Sequence, residues 1–370
     1  MPIIREKSID DLISSLPDWS ETGWEGADIF IAAAGFEHRS PRAFKDWCES
    51  IKPITGILLL IEYPMNINDN RDQIDEFIKC ANKYHIEIIK IPYDRTTFYR
   101  QFSEIIKSKA DTKRIIIDLS SFASFILYPV LENICQLNEK TNLHVVYTEA
   151  GEYFPTEEEY QEFRNKVKDA IKNDIVEYGR LFDSSCFQSM GTTIAYESQI
   201  FPGKNHDKLP TKLIVIPNFS FERVNRMISF SVEQYSVKRE DIEWILGVPP
   251  NQEKNGWRTS AITDIFQPTE KHHVNTLHYK EILKTLNDIY MSSYMNYHLM
   301  ISTVGSKAQH LGTFIFLKIH PEVGLVLSEP EKFNAAKYSK SDGQLWHMNF
   351  GDLGIMNDRI LNWNKIDFIW

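Results

Sequence analysis

Short apolar runs alternate with stretches whose hydrophobic residues recur at helical spacing, and the alternation repeats along most of the chain. The run from Asp28 to Ala34 predicts a strand that ends in Gly35-Phe36-Glu37-His38-Arg39-Ser40, with Pro41 in the first turn of a helix capped by Ser40. Further strand-like runs lie at Gly56 to Ile61, ending in Glu62-Tyr63-Pro64, and at Ile86 to Ile91. The third run leads into a helix with Phe98, Phe102, Ile105 and Ile106 on one face. A fourth, Arg114-Ile115-Ile116-Ile117-Asp118, ends in Leu119-Ser120-Ser121, and a fifth, Leu143 to Tyr147, closes on Thr148-Glu149.

The same landmarks return in the same order roughly 180–190 residues later. Leu213 to Ile216 leads into Pro217-Asn218-Phe219-Ser220-Phe221-Glu222-Arg223, which makes Phe219 the counterpart of Phe36. Ile242 to Leu246 ends at Gly247-Val248-Pro249-Pro250. Val274 to His278 precedes a helix carrying Ile282, Leu283, Leu286 and Ile289. His298 to Ser302 runs into Thr303-Val304-Gly305-Ser306-Lys307, and Val323 to Leu327 closes on Ser328-Glu329.

Strands alternating with helices imply a parallel sheet covered on both faces. The expected fold is therefore α/β: two tandem Rossmann-like, doubly wound parallel-sheet domains produced by internal duplication, each with five strands and about four helices. The first domain is expected over residues 1–155 and the second over 211–370. Between them, 156–210 is a connector with a polar, acidic helix from Thr156 to Tyr178 and an irregular stretch from Gly191 to Pro210. The last thirty-odd residues, with Trp346, Trp363 and Trp370, lack a counterpart in the first copy and form a C-terminal extension expected to pack across it.

A chain of 370 residues exceeds one hydrophobic core, in keeping with two domains. Hydrophobic residues at 42% and charged residues at 25% fit a globular protein and exclude disordered and fibrous classes. Without a run near the ~18 apolar residues of a membrane span, and with Met1-Pro2-Ile3-Ile4-Arg5-Glu6-Lys7 at the start, the expectation is a cytoplasmic protein with no membrane partner. Cys48, Cys80, Cys135 and Cys186 stand far apart, which points to buried thiols and to neither zinc nor a disulfide framework. The net charge of −10 opposes generic DNA binding, since that affinity comes from cations displacing counterions.

In an open parallel sheet, ligands bind outside the carboxyl ends of the strands where the strand order reverses, here between strands one and four. The candidate ligand-binding residues accordingly follow those strands. In the first copy they are Gly35, Phe36, Arg39, Ser40, Asp118, Ser120 and Ser121. In the second they are Asn218, Phe219, Arg223, Thr303, Gly305, Ser306, Lys307 and Gln309. Thr303 to Gln309 can offer an anion a close-packed glycine, a hydroxyl, a helix start and a lysine; it can equally be a tight turn with an N-cap. Arg39 and Arg223 can clamp a phosphate or pair with the neighbouring Glu37 and Glu222. Phe36 and Phe219 can be core plugs or stacking platforms. The first copy's fourth loop lacks a lysine, so the two crevices differ. Neither a Walker A loop nor a dinucleotide glycine motif is present. His272, His273 and His278 fit a surface or packing role, Ser185-Cys186 lacks a recognisable histidine partner, and His38 is the one histidine on a crevice loop. Catalytic residues, metal ligands and cofactors are not expected.

Two tandem Rossmann-like units with a small-Gly-Ser/Thr-Lys element after the fourth strand, here Thr303-Val304-Gly305-Ser306-Lys307, resemble the CRISPR-associated Rossmann-fold (CARF) sensor domains and their duplicated SAVED relatives of bacterial anti-phage systems. The resemblance covers both halves in layout and the loop 303–309 in motif. It implies a sensor of a nucleotide or cyclic oligonucleotide second messenger in phage defence. Such sensors are normally fused to an effector, and the lack of an effector motif in this chain implies a separate effector protein. Two other readings stay open: a metal-independent nucleotide phosphodiesterase or ring nuclease in which Lys307 and Ser306 stabilise phosphate charge, and a non-catalytic scaffold subunit of a defence complex.

Overall fold

The computed structural model describes residues 9–53, 55–109, 112–172, 188–203 and 209–361. Twelve strands are assigned among them: β1 Ile29–Ala34, β2 Ile57–Glu62, β3 Glu87–Pro92, β4 Arg114–Asp118, β5 Asn142–Tyr153, β6 Ser189–Glu197, β7 Thr211–Ile216, β8 Ile242–Val248, β9 Glu270–Asn275, β10 His298–Thr303, β11 Gly324–Phe333 and β12 Ser339–Asp352. They form two six-stranded sheets, ordered β12-β5-β4-β1-β2-β3 and β6-β11-β10-β7-β8-β9. Each contains the doubly wound order 3-2-1-4-5 with one further strand beside strand five. The fold is two Rossmann-like α/β sheets, and the duplication is visible in the pairing. Ile29 opposite Ile57 and Ile115 in the first sheet corresponds to Leu213 opposite Ile242 and Met300 in the second, all parallel.

Burial explains why the runs read as continuous rather than alternating. Every residue of β1 and of β10 is buried, because helices cover both faces of a parallel sheet. In the first unit, Phe30, Ala32 and Ala34 of β1 and Leu58 and Leu60 of β2 pack with Phe44 and Trp47 of the helix Arg42–Ile51 and Phe77 of the helix Arg71–Lys83. In the second, Leu213 and Val215 pack with Phe221, Val224 and Met227 of the helix Phe221–Tyr235.

The chain divides into two compact units. One comprises Met1–Gly151, Phe314–Ile319 and Ser341–Trp370, the other Glu152–Thr313 and His320–Lys340. The C-terminal extension, which lies within the span expected for the second domain, groups with the first unit, the copy it was expected to pack across. The reason is the free edge of β5, which β12 occupies; Trp346 of β12 donates to Glu149 Oε2 at 3.0 Å. Trp363 and Trp370 lie outside the described residues.

The connector also differs from expectation. Its acidic helix is present as Glu157–Lys172, but the stretch expected to be irregular contains β6, which runs antiparallel to β11. Thr192, Thr193 and Ile194 are β-branched, and the exposed edge of β11 supplies the partner that local sequence cannot reveal. β9 begins four residues before the expected Val274. It is a polar edge strand, and its pairing with β8, from Glu243 opposite Glu270 to Val248 opposite Asn275, decides its limits. Ser40 does not cap the following helix. Its Oγ donates to Ala33 O at 3.0 Å, and Pro41 holds the N-cap position.

Candidate functional site

In the first unit, β1, β4 and β5 end side by side, and their loops carry most of the residues singled out in the first copy. Gly35 is required by proximity: a Cβ there would stand 2.8 Å from the Ser121 Cβ, so the loops after β1 and β4 touch only because it has none. Gly35 N donates to Ser40 Oγ at 3.2 Å, closing the turn on itself. Phe36 is half-buried.

Arg39 is 3% exposed and takes the pairing option. Its Nε and Nη2 meet the two Glu37 carboxylate oxygens at 3.0 and 3.1 Å, and its Nη1 donates to Thr148 O at 2.6 Å at the loop's far side. Asp118 accepts hydrogen bonds from Ser120 N (2.9 Å) and from Ser120 Oγ, and Ser120 Oγ accepts from Thr148 N at 2.8 Å. Burial pushes the Asp118 carboxyl up to about 6 despite the Ser120 hydrogen bonds and the nearby Arg39 charge. Tyr63 OH donates to Ser121 O at 2.8 Å and accepts from Ala123 N at 2.7 Å. Two buried hydroxyl oxygens at these strand ends, Ser121 Oγ and Thr148 Oγ1, have no hydrogen-bond partner. His38 is exposed and lies 3.0 Å from Asp342 Oδ1.

In the second unit, the loop Thr303 to Gln309 is built as a capping box. Ser306 Oγ accepts from Gln309 N at 3.1 Å while Gln309 Oε1 accepts from Ser306 N at 2.8 Å, so two N–H groups at the start of the helix Lys307–Ile319 are satisfied within the loop. Ser306 Oγ also donates to Thr276 O, tying the loop to the end of β9, and Gly305 N donates to Thr303 Oγ1 at 3.3 Å. A Cβ on Gly305 would come 3.0 Å from Ile216 and closer still to Gln309, and one on Gly247 would stand 2.8 Å from Thr276. The side chain that fills the space between these glycines is Gln309. It is buried, and its Nε2 has no hydrogen-bond partner.

The second crevice carries a lysine after its fourth strand, which the first lacks. Lys307 is half-buried at the helix start, and Arg223 is 4% exposed behind it. The buried His310 is held well below the usual histidine range, first by burial and then by the charges of Lys307 and Arg223. Arg223 mirrors Arg39 across the duplication: its Nη2 donates to Ser328 O at 2.9 Å, as Arg39 does to Thr148 O, and its Nε donates to Ser328 Oγ at 3.1 Å. Asn218 Oδ1 accepts from Ser220 N at 2.7 Å. Phe219 is a buried plug, its ring 5.5 Å from those of Trp257 and Phe221 and 6.0 Å from Tyr160, under the guanidinium of Arg258.

The structure thus brings Gly35, Arg39, Ser40, Asp118, Ser120 and Ser121 together in one unit, and Thr303, Gly305, Ser306 and Gln309 in the other. Sequence reading missed Thr148, Ser328, Tyr63, Thr276 and His310. A signal existed for two of them, since Thr148 and Ser328 occupy the same landmark in the two copies. His272 lies 2.7 Å from Glu243 on β8, away from these loops. Ser185 and Cys186 lie outside the described residues. Among the described residues no cluster of three or more His, Cys, Asp or Glu is placed to hold a metal, and no helix is long and apolar enough to cross a membrane.

No protein-family model and no curated protein matches this chain. Among solved structures it is similar to a type III CRISPR defence DNA nuclease activated by cyclic oligoadenylate, at 8% identity and a TM-score of 0.45 over 77% of this chain. The chain spans 63% of that nuclease's length. A functionally unknown protein from Pseudomonas aeruginosa (8% identity, TM-score 0.23) and a putative universal stress protein from the same species (10%, 0.23) each match over 83% of this chain and 94% of their own. At these identities and scores, none of the three assigns a family or a ligand to the protein.

Proposed function

We propose that this protein is a sensor: a binding module that takes a nucleotide or cyclic oligonucleotide at the strand carboxyl ends of its second unit and returns it unchanged. The observation that carries the reading is Gln309 Nε2, a buried donor without a partner, set between two glycine contacts at the foot of a loop that also holds Lys307. A native fold rarely leaves such a donor orphaned, and a phosphate or base oxygen would complete it. Lys307 and Arg223, whose charges both reach the buried His310, supply the charge preference for an anion. The first unit's orphaned hydroxyls, Ser121 Oγ and Thr148 Oγ1, suit a neutral, hydroxyl-rich group such as ribose.

The resemblance of the tandem units and of the 303–307 loop to CARF and SAVED sensors supports placing the protein in anti-phage defence, with a separate effector chain as its output. Nothing in the two loops favours the phosphodiesterase reading, because the hydroxyl of Ser306 is committed to Thr276 O and to Gln309 N. The test is a thermal-shift screen with cyclic and linear oligonucleotides, followed by chromatography of the recovered ligand. The expected result is stabilisation that grows with ligand concentration and quantitative return of intact ligand. Products in the eluate would replace the sensor by an enzyme, and a flat screen beside a stably bound protein partner would replace it by a scaffold.

A further inference from the structure

Two cysteines that the binding site does not use face each other across a helix pair in the first unit. The helices Arg42–Ile51 and Arg71–Lys83 lie in register: the rings of Phe44 and Phe77 are 5.8 Å apart, and Lys45 Nζ meets Glu76 Oε2 at 2.5 Å. One turn further along both helices come Cys48 and Cys80, in the same buried cluster and close enough for the Cys48 thiol to hydrogen-bond to the Cys80 sulfur. Cys48 is fully buried, whereas Cys80 keeps 8% exposure. The two sulfurs are electrostatically unequal. The hydrogen bond from Cys48 draws Cys80 below the ordinary thiol range, aided by Lys45 and Lys83 and opposed by burial and Glu49. The same hydrogen bond, with burial, raises Cys48. Cys135, as exposed as Cys80, provides the contrast: burial, opposed by Lys318 and aided by Glu132, pushes it up to about 12.

We propose that Cys48 and Cys80 form a redox-active dithiol that hydrogen peroxide converts into a disulfide joining the two helices. Cys80, the less buried of the pair, attacks one oxygen of hydrogen peroxide as its thiolate; the O–O bond breaks, hydroxide leaves and takes up the proton that Cys80 gave up, and Cys80 becomes a sulfenic acid. Cys48 then attacks that sulfur, the S–O bond breaks, and the oxygen departs as water with the Cys48 proton. Two thiols are oxidised by two electrons and one peroxide is reduced to two waters. The bond would tie the helix that follows the loop Gly35 to Ser40 to its neighbour, so the site couples oxidation to the rigidity of that loop.

The experiment treats the full chain with hydrogen peroxide, alkylates the remaining thiols and maps the digested peptides by mass. The expected product is one cross-linked peptide pair joining Cys48 to Cys80, lighter by two hydrogens, reversed by dithiothreitol, with Cys135 still alkylated. In Cys48→Ser, which lacks the resolving thiol, Cys80 should proceed to the sulfinic acid; in Cys80→Ser, Cys48 should stay reduced. Oxidation of Cys135 as fast as Cys80, or a cross-link that appears only after unfolding in urea, would overturn the proposal.

Discussion

The loops after β4 and β10 occupy the same place in two copies of one fold, yet each is closed by different chemistry. After β4, a carboxylate and a serine make an inward network in which Asp118, Ser120 and the Thr148 N–H satisfy one another and Arg39 is paired with Glu37. After β10, a capping box closes the loop without a carboxylate, and the charges of Lys307 and Arg223 both reach the buried His310, which they and burial hold well below the usual histidine range. The difference teaches how a duplicated site diverges. The arginine reaching to strand five is kept in both copies as a cross-link, to Thr148 O and Ser328 O, while the residues around it differ: Glu37 pairs Arg39 in the first copy, and Lys307 joins Arg223 near His310 in the second.

Breaking the arginine cross-links tests that comparison most severely. Arg39→Ala strands the buried Glu37 carboxylate and should destabilise the protein by about 3–5 kcal/mol, the cost of removing one partner of a buried pair. Arg223→Ala removes hydrogen bonds to Ser328 and should cost less, about 1–3 kcal/mol. Guanidinium denaturation of both variants checks the order, and an equal loss would mean that the two arginines are held alike.

The closed network should also carry a pH signature of its own. Because the folded Asp118 carboxyl is raised to about 6 from an ordinary 3.8, the stability it contributes is present below 3.8 and is lost as pH rises through 6. The full span is about 3 kcal/mol at 1.36 kcal/mol per pKa unit. Asp118→Asn should abolish that fall when stability is followed between pH 4 and 7. An opposite slope comes from His144 and His347, 3.3 Å apart and both held at about 4 by burial; their contribution is lost as pH falls from 6.5 towards 4 and should persist in the variant.

At the loop after β10, Lys307→Ala should weaken binding of a phosphate-bearing nucleotide by about 1.5–3 kcal/mol. Titration calorimetry with the ligand found by thermal shift reads it, and unchanged affinity would remove Lys307 from the site. The smallest effect belongs to the cap: Ser306→Ala should cost about 1 kcal/mol of stability, visible as a lower thermal midpoint. A loss as large as that of Arg39→Ala would mean that the loop after β10 carries more of the fold than its capping box accounts for.

Much of this comparison was legible beforehand. The apolar run Ile29–Ala34 and the apolar centre of His298–Thr303 announced central strands, and repetition of their order announced the duplication and the crevices. The side-chain choices were not. Whether Arg39 faced a ligand or Glu37 depended on where Thr148 O would lie, 109 residues away. Whether Ser40 capped its helix depended on the carbonyl of Ala33.

By itself the sequence determined the elements, their alternation and the paired loops, because hydrophobic periodicity and turn residues act within a few positions of themselves. Only the tertiary structure decided that β12 and β6 extend the two sheets and that Gln309 is left with an unpaired donor. It also decided that Cys48 meets Cys80. Strand edges, orphaned polar atoms and thiol pairs are properties of surfaces brought together across tens to hundreds of residues, and local pattern carries no record of which surfaces will meet.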